Sequence, residues 1–518
     1  MLMGKVGFWR RLIARLLLAV ILFACVPPSS LKAENQPVAE FSFNTVRDLA
    51  RALAAKEYRA PDNKDLPDEL KKLNFDQYQS IRFRPEHTIW KGQNLRFTVQ
   101  FSCRGYLYQD PVKIHFIENG HVSDMKFATA LFDFGTNHEP KDLSPDLEFA
   151  GFRLLYPLNS PQKDDEVMEF LGASYFRSLG ARQRYGASIR GLAVNTAESG
   201  GEEFPRFTEF WIEKPPPLAG GVRVFALMDS PSVAGAYRFV IQPGNNTLTE
   251  IEESLFFRNI PKKIGLAPLG SLFLQGQTRT HLTPDYRPQV HDSDGLLIET
   301  SDTNWLWRPL VNPTKTFQTS DYPMTDMKGF GLLQRDREFS DYDDLQSRFE
   351  LKSSYWVEPT GNWGPGAVEL VEIPTPNDWN DNIVAYWKPK EMPGAGQELH
   401  LTYRVSALLN GPDIVPALRV RSTHIRPESN GRPPRFVVDY GGTPPHPVEL
   451  SANGAVMVQS SNGQVKNLVV QTNDATGGWQ AVFDLEGSGE GRTELRMRLL
   501  PGARPVGETW IYDYQKSN

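Results

Sequence analysis

Tyr237-Arg-Phe-Val-Ile-Gln242 and Leu248-Thr-Glu-Ile-Glu-Glu-Ser-Leu-Phe-Phe257, separated by Pro243-Gly-Asn-Asn246, read as two strands joined by a hairpin turn. The flanking runs are rich in aromatic and β-branched side chains. The link combines a fixed proline φ, a glycine and two asparagines that tolerate left-handed backbone. The same texture extends outward in both directions. Leu95–Phe101, Val112–Glu118 and Val222–Met228 are further short apolar runs, broken every eight to twelve residues or so by Gly, Pro, Asn or Asp. With 41 glycines and 40 prolines in 518 residues, the chain has turn formers for many strands and little room for long helices. The fold class expected is all-β: a large N-terminal β-sandwich followed by a smaller one.

Two helices precede the strands. Val46, Leu49, Ala50 and Leu53 recur at helical spacing within Phe43–Tyr58, behind Asn44 as a cap. A shorter helix is expected over Asp65–Leu73, with Pro67 in its first turn. At the other end, Lys388–Gln397 has no periodicity and reads as a linker, placed at 391–397. Beyond it, Leu399, Leu401, Tyr403 and Val405 alternate with polar residues, as do Leu495, Met497 and Leu499. These are the marks of half-buried strands, assigned to a C-terminal domain over 398–518, about the size of an immunoglobulin-like sandwich.

The N-terminus reads as an export signal. Basic residues lead into a run from Leu12 to Val26 that is apolar apart from Arg15, and the segment closes on Ala33, the expected cleavage point of a signal over 1–33. Arg10-Arg11 offers a twin-arginine variant, and Leu22-Phe-Ala-Cys25 a lipoprotein one. Either route leads to the periplasm. The whole chain carries a net charge of −6, and the signal holds only basic charges, so the mature protein is more acidic still. Such a chain has no general attraction to nucleic acid. Cys103 would be the sole cysteine left, too few for a disulfide within the chain, and its strand-like setting reads as a buried small hydrophobe.

No phosphate loop, HExxH or paired-cysteine zinc signature occurs, and no cofactor or metal is expected. The concentration of acids, aromatics and arginines in Arg287–Asn312 is more telling. His291, Asp292 and Asp294 precede Trp305, Trp307 and Arg308. Two tryptophans two apart on a strand face one side, where they form either a stacking platform for sugar rings or part of a core. A second region, Tyr322–Trp387, contains Trp363 and the Asn/Asp loop with Asp378 and Asp381 before Ile-Val-Ala-Tyr-Trp387. A third, Tyr175–Ile189, gathers Tyr175, Arg177, Arg182, Arg184 and Tyr185, a set suited to hydroxyl-rich ligands or to a solvated arginine face.

These stretches carry a family resemblance. Phe204-Pro-Arg-Phe-Thr-Glu-Phe-Trp211, Val290-His-Asp-Ser-Asp-Gly-Leu296, Trp305-Leu-Trp-Arg-Pro-Leu310, Gly329-Phe-Gly-Leu-Leu-Gln-Arg335, Val368-Glu-Leu-Val-Glu-Ile-Pro-Thr375 and Asn380-Asp-Asn-Ile-Val-Ala-Tyr-Trp387 closely resemble the periplasmic glucan biosynthesis proteins G and D of Gram-negative bacteria. The resemblance implies a cleft-bearing β-sandwich over 36–390 and an immunoglobulin-like C-terminal domain. It implies a role in making osmoregulated periplasmic glucans, with a β-1,2-linked glucan as ligand and the inner-membrane glucan synthase as a partner. It also implies one of two modes of action. The first is an inverting endo-β-1,2-glucanase with Asp381 as acid and Asp292 as base, Asp294 being the alternative base, and with Trp305, Trp307, Arg308, Tyr175, Arg184 and Trp363 on the sugar. The second is a non-catalytic scaffold that guides nascent glucan. Phe349 stands where the resemblance leads one to expect tyrosine, so a hydroxyl of a proton relay would be missing.

Overall fold

The computed structural model describes residues 41–516 apart from 141–142, 279–284, 301–303, 413–414, 417, 443–454, 490 and 502–504. The expected signal segment, with its twin-arginine and lipoprotein variants, lies outside the described residues. Strands dominate the remainder, as an all-β chain requires. The decisive hairpin forms as read: Val233–Gln242 and Thr247–Phe257 are antiparallel, with Ile241 opposite Thr249.

Among the described residues, two large sheets face each other. A ten-stranded sheet runs in the order Thr98–Ser102, Gly151–Ser160, Lys163–Leu171, Tyr175–Ser178, Ser188–Arg190, Ile264–Ser271, Ile383–Pro389, Gly366–Glu372 and Gln318–Met324, with Leu192–Val194 also on Ile264–Ser271. A fourteen-stranded sheet carries the decisive hairpin near its middle. Between them lies the main core, where Phe152, Phe170, Phe176 and Ile189 of the first sheet meet Phe207, Tyr237, Phe239, Phe330 and Tyr355 of the second. Stacked and edge-on pairs such as Phe152–Phe170, with ring centroids 5.0 Å apart, fill it.

The outer face of the fourteen-stranded sheet is covered twice. Near its middle the helix Phe43–Ala54 lays Phe43, Val46 and Ala50 against Trp211, Phe225, Leu227 and Phe256. The helix begins after Ser42 rather than at Asn44, and the second expected helix shrinks to one turn, Asp68–Lys71, with Pro67 just before it. Toward the other end a four-stranded sheet, Arg419–Arg426, Arg435–Gly441, Gly478–Glu486 and Gln464–Asn473, closes a second core. That core holds Leu297, Trp305, Trp307, Leu333 and Trp356 together with Phe436, Phe483, Met497 and Trp510. Strands between the two cores are therefore apolar on both faces. Leu296 and Ile298 enter the first core and Leu297 the second, which removes the period-two signal there.

One strand assignment needs correction. Glu398–Leu408 does not open a separate C-terminal domain. It pairs along one edge with Thr247–Phe257 and along the other with Ser354–Pro359, inside the first sandwich. The alternation of Leu401, Tyr403 and Val405 was sound evidence for a strand with one buried face, but such a pattern says nothing about which sheet supplies the partner. The preceding 391–397 segment crosses from the ten-stranded to the fourteen-stranded sheet, and Gly396 donates its N–H to the Phe257 carbonyl at 2.9 Å.

Candidate functional site

The ten-stranded sheet has one apolar face in the main core; its other face is polar over the strands from Gly151 to Arg190 and carries a small apolar cluster, Ala193, Val371, Val384 and Tyr386, farther along. Residues two apart on a strand share a face, and cross-strand partners do too. Arg177 stands opposite Glu169, and Tyr175 opposite Arg190. Arg153 donates to Gln100 at 3.1 Å and to Glu166 at 3.2 Å, which continues the polar strip across the sheet. Ser188 shares its face with Arg190. At this end of the strip lies Asp381, whose Oδ2 accepts the Ser188 hydroxyl at 2.9 Å.

Asp381 has a solvent-exposed side chain, held by Ser188 and lying in the field of Arg177 and Arg190. Desolvation pushes its carboxyl above the ordinary range; Arg177 opposes this and Asp292 adds to it. Glu169, farther along the strip, is pushed up to about 7 by desolvation and by Glu166.

Asp292 reaches the same field from another direction. The stretch Ser271–Phe273 runs between the two aspartate-bearing segments: Ile383 pairs with Ser271 on one edge, and His291 with Phe273 on the other. Asn382 donates its N–H to the Ser271 carbonyl at 3.0 Å, and Asp292 donates to Leu272 at 2.9 Å. Two inter-strand spacings put these backbones on the order of 10 Å apart. Asp292 is nearly buried, with Lys352 Nζ 2.8 Å from its Oδ1. Arg177 lies in the field of both carboxylates.

Glycine makes room for this arrangement. A Cβ on Gly270 would stand 2.6 Å from Ser188 Oγ and 3.0 Å from Asp381 Oδ2, and one on Gly186 would stand 2.8 Å from the Lys352 side chain. Side chains at either position would displace the groups that hold the two acids.

Residues 41–514 match the family model described as "Periplasmic glucan biosynthesis protein, MdoG". The chain belongs to this family. It is 42% identical to a protein named glucans biosynthesis protein G from Rhodopseudomonas palustris (strain BisA53), over 97% of this chain and 99% of that one. It is 43% identical to the protein of the same name from Ralstonia nicotianae, over 93% and 97%. No helix among the described residues is long and apolar enough to cross a membrane.

The residues expected on the sugar divide sharply. Tyr175 lies on the polar face, with the Arg190 guanidinium 5.4 Å from its ring centre. Arg184 is exposed and backs onto the Lys352 segment, its N–H bonded to the Leu351 carbonyl at 2.8 Å and its carbonyl accepting from Ser353 at 3.0 Å. Trp305 and Trp307 do share a side, as a strand demands, but that side is the second core, where Trp305 stacks on Trp356 at 5.7 Å. Arg335 covers the face of Trp307, 3.4 Å from its centre. They are not a platform for sugar. Arg308 is buried too, paired with Glu372 at 2.9 Å and Asp513 at 3.1 Å. Trp363 packs edge-on against Tyr403 and donates to the Thr402 carbonyl at 3.4 Å, at the margin of the main core.

Asp294 turns away from Asp292. It accepts the backbone N–H groups of Arg335 and of Asp336, the latter at 3.0 Å, and faces His291 at 3.4 Å. His291, Asp294 and Asp336 lie close enough to share a metal ion. Their donor atoms are nevertheless engaged. Both His291 nitrogens meet glutamine oxygens, Gln334 at 2.8 Å and Gln289 at 3.0 Å, and Asp336 accepts Gln277 and Gln289 at 2.7 Å each. The group is a closed polar network that fixes the segment carrying Asp292.

Sequence reading missed Ser188, Arg190 and Lys352. Ser188 lies within the Tyr175–Ile189 stretch and Arg190 just beyond it, two apart on one strand, with Arg190 opposite Tyr175 on the neighbouring one, so a face-by-face reading would have added them. Lys352 comes from a one-turn segment after Phe349 and carries no local signal.

Proposed function

We propose that the protein works in the periplasm as an inverting endo-β-1,2-glucanase on the backbone of osmoregulated glucans, with Asp381 as general acid and Asp292 as general base. The observation that carries this reading is the unequal treatment of the two carboxyls. Inversion needs one acid that keeps its proton near neutral pH and one carboxylate that activates water on the opposite side of the sugar. Asp381 has the raised carboxyl, on a solvent-exposed side chain, with Ser188 orienting one oxygen. Asp292 instead has the Lys352 ammonium 2.8 Å from its Oδ1. Inverting enzymes hold their two carboxyls roughly 6.5–9.5 Å apart, and a backbone separation on the order of 10 Å is compatible with that. Asp294, occupied by two backbone donors, is the weaker candidate for the base.

A second reading rests on a specific feature. Asp292 is only 5% exposed and lies under Lys352, while Phe349, 4.6 Å from Lys352 Nζ, offers no hydroxyl to pass a proton. A protein so built could grip glucan without cutting it and guide the chain from the inner-membrane synthase. Incubating mature protein with linear β-1,2-glucan separates the two. The glucanase releases reducing ends whose first product has inverted anomeric configuration. Saturable binding with no release favours the scaffold.

A further inference from the structure

Three of the most exposed large apolar side chains are Trp379, Tyr286 and Leu345, at 81%, 78% and 76% of their full exposure. They come from loops far apart in sequence, yet each directly follows an aspartate, and the three aspartates grip one arginine. Arg287 reaches Asp285 at 2.7 Å, Asp378 at 2.8 Å and Asp344 at 3.2 Å. A forked guanidinium holding three carboxylates fixes three loop tips in one place. Apolar tips on ordinary mobile loops would need no such brace.

The brace stands beside the candidate catalytic groups. Trp379 is two residues before Asp381, Arg287 is five before Asp292, and Arg184 donates to the carbonyl of Gln346, next to Leu345, at 3.2 Å. We propose that the Arg287-braced rim is a glucan subsite, in which the Trp379 ring stacks on the apolar face of a pyranose beyond the bond to be cut and Tyr286 and Leu345 flank it. This rests on the reading of the cleft as a glucan site. Trp379 binds the sugar, and Arg287 is a positioning residue that acts through the three loops.

The test uses the full mature chain carrying Asp381→Asn, so that bound glucan is not consumed, and titrates it calorimetrically with linear β-1,2-gluco-oligosaccharides of increasing length. Adding Trp379→Ala is expected to weaken binding of long oligosaccharides roughly five- to tenfold, with little effect on those too short to reach the rim. Trp379→Phe, which keeps a ring, restores most of the affinity. Arg287→Lys, which keeps the charge but not the fork, weakens the same long chains. Unchanged unfolding temperatures, expected for so exposed a tryptophan, show that these are binding effects. Equal affinity with and without the Trp379 ring at every length would overturn the rim while leaving the cleft standing. A chain that neither binds nor cleaves any oligosaccharide would overturn both.

Discussion

Two strands of this protein carry nearly the same message in sequence and opposite meanings in structure. Tyr175-Phe-Arg177 and Trp305-Leu-Trp-Arg308 each set aromatics and an arginine on a short extended run, with acids near in space. On the first, Tyr175 and Arg177 stand on the polar face of the ten-stranded sheet, in the field of Asp381. On the second, the tryptophans point into a core closed by the four-stranded sheet, and Arg308 is locked between Glu372 and Asp513. What separates a surface open to a ligand from a structural one is the layer opposite: water in one case, another sheet in the other. Composition does not report that layer.

The comparison breaks most sharply on function. If Asp381 is the general acid proposed above, Asp381→Asn removes the proton the leaving oxygen needs, and loss of a general acid costs about 10²- to 10⁴-fold in rate. It keeps the shape of the side chain and the Ser188 contact, so the unfolding temperature should hold and glucan should still bind. Reducing-end release and thermal unfolding, measured on one preparation, check both halves. Retained activity would remove Asp381 from the acid role.

The opposite profile is expected at the junction. Arg308→Met leaves Glu372 and Asp513 buried with their main counter-ion gone, at a cost of about 3–5 kcal/mol. Denaturant unfolding should show that loss, while the surviving folded protein should bind glucan with its usual affinity. A specific loss of binding at unchanged stability would mean that Arg308 faces ligand after all.

The sequence made the sandwich, the decisive hairpin and the helix over Phe43–Ala54 legible because each rests on a local period or a turn motif. Asp381 and Asp292 came from the family resemblance, since nothing local distinguishes Asp381 from Asp378 or Asp292 from Asp294. The structure gives each pair distinct settings: Asp378 braces Arg287, and Asp294 holds backbone. Glu398–Leu408 shows the limit in another way. Its alternation identified a strand correctly, but register and partner are decided by a hairpin some 150 residues earlier, which no window of sequence contains.

A third buried acid sharpens the contrast between acids that have a cation and acids that do not. Glu372 has Arg308 beside it. Glu253, near the middle of the fourteen-stranded sheet, has hydroxyls and no cation beside it among the described residues, with Tyr403 3.2 Å from its Oε2. Desolvation pushes the Glu253 carboxyl up to about 8, well above the 4.5 of an exposed glutamate. The folded chain therefore holds a proton that the unfolded chain releases. The stability Glu253 contributes is complete below pH 4.5 and is lost as the pH rises through about 8. Glu253→Gln keeps the shape and the hydrogen-bonding capacity without the charge. Its unfolding temperature should lie above that of the wild type at pH 9, and the gap should narrow on acidification and close toward pH 4.5. A gap that stayed constant between pH 5 and 9 would show that Glu253 is ionised in the folded state across that range, as it would be beside a cation, and the contrast with Glu372 would then collapse.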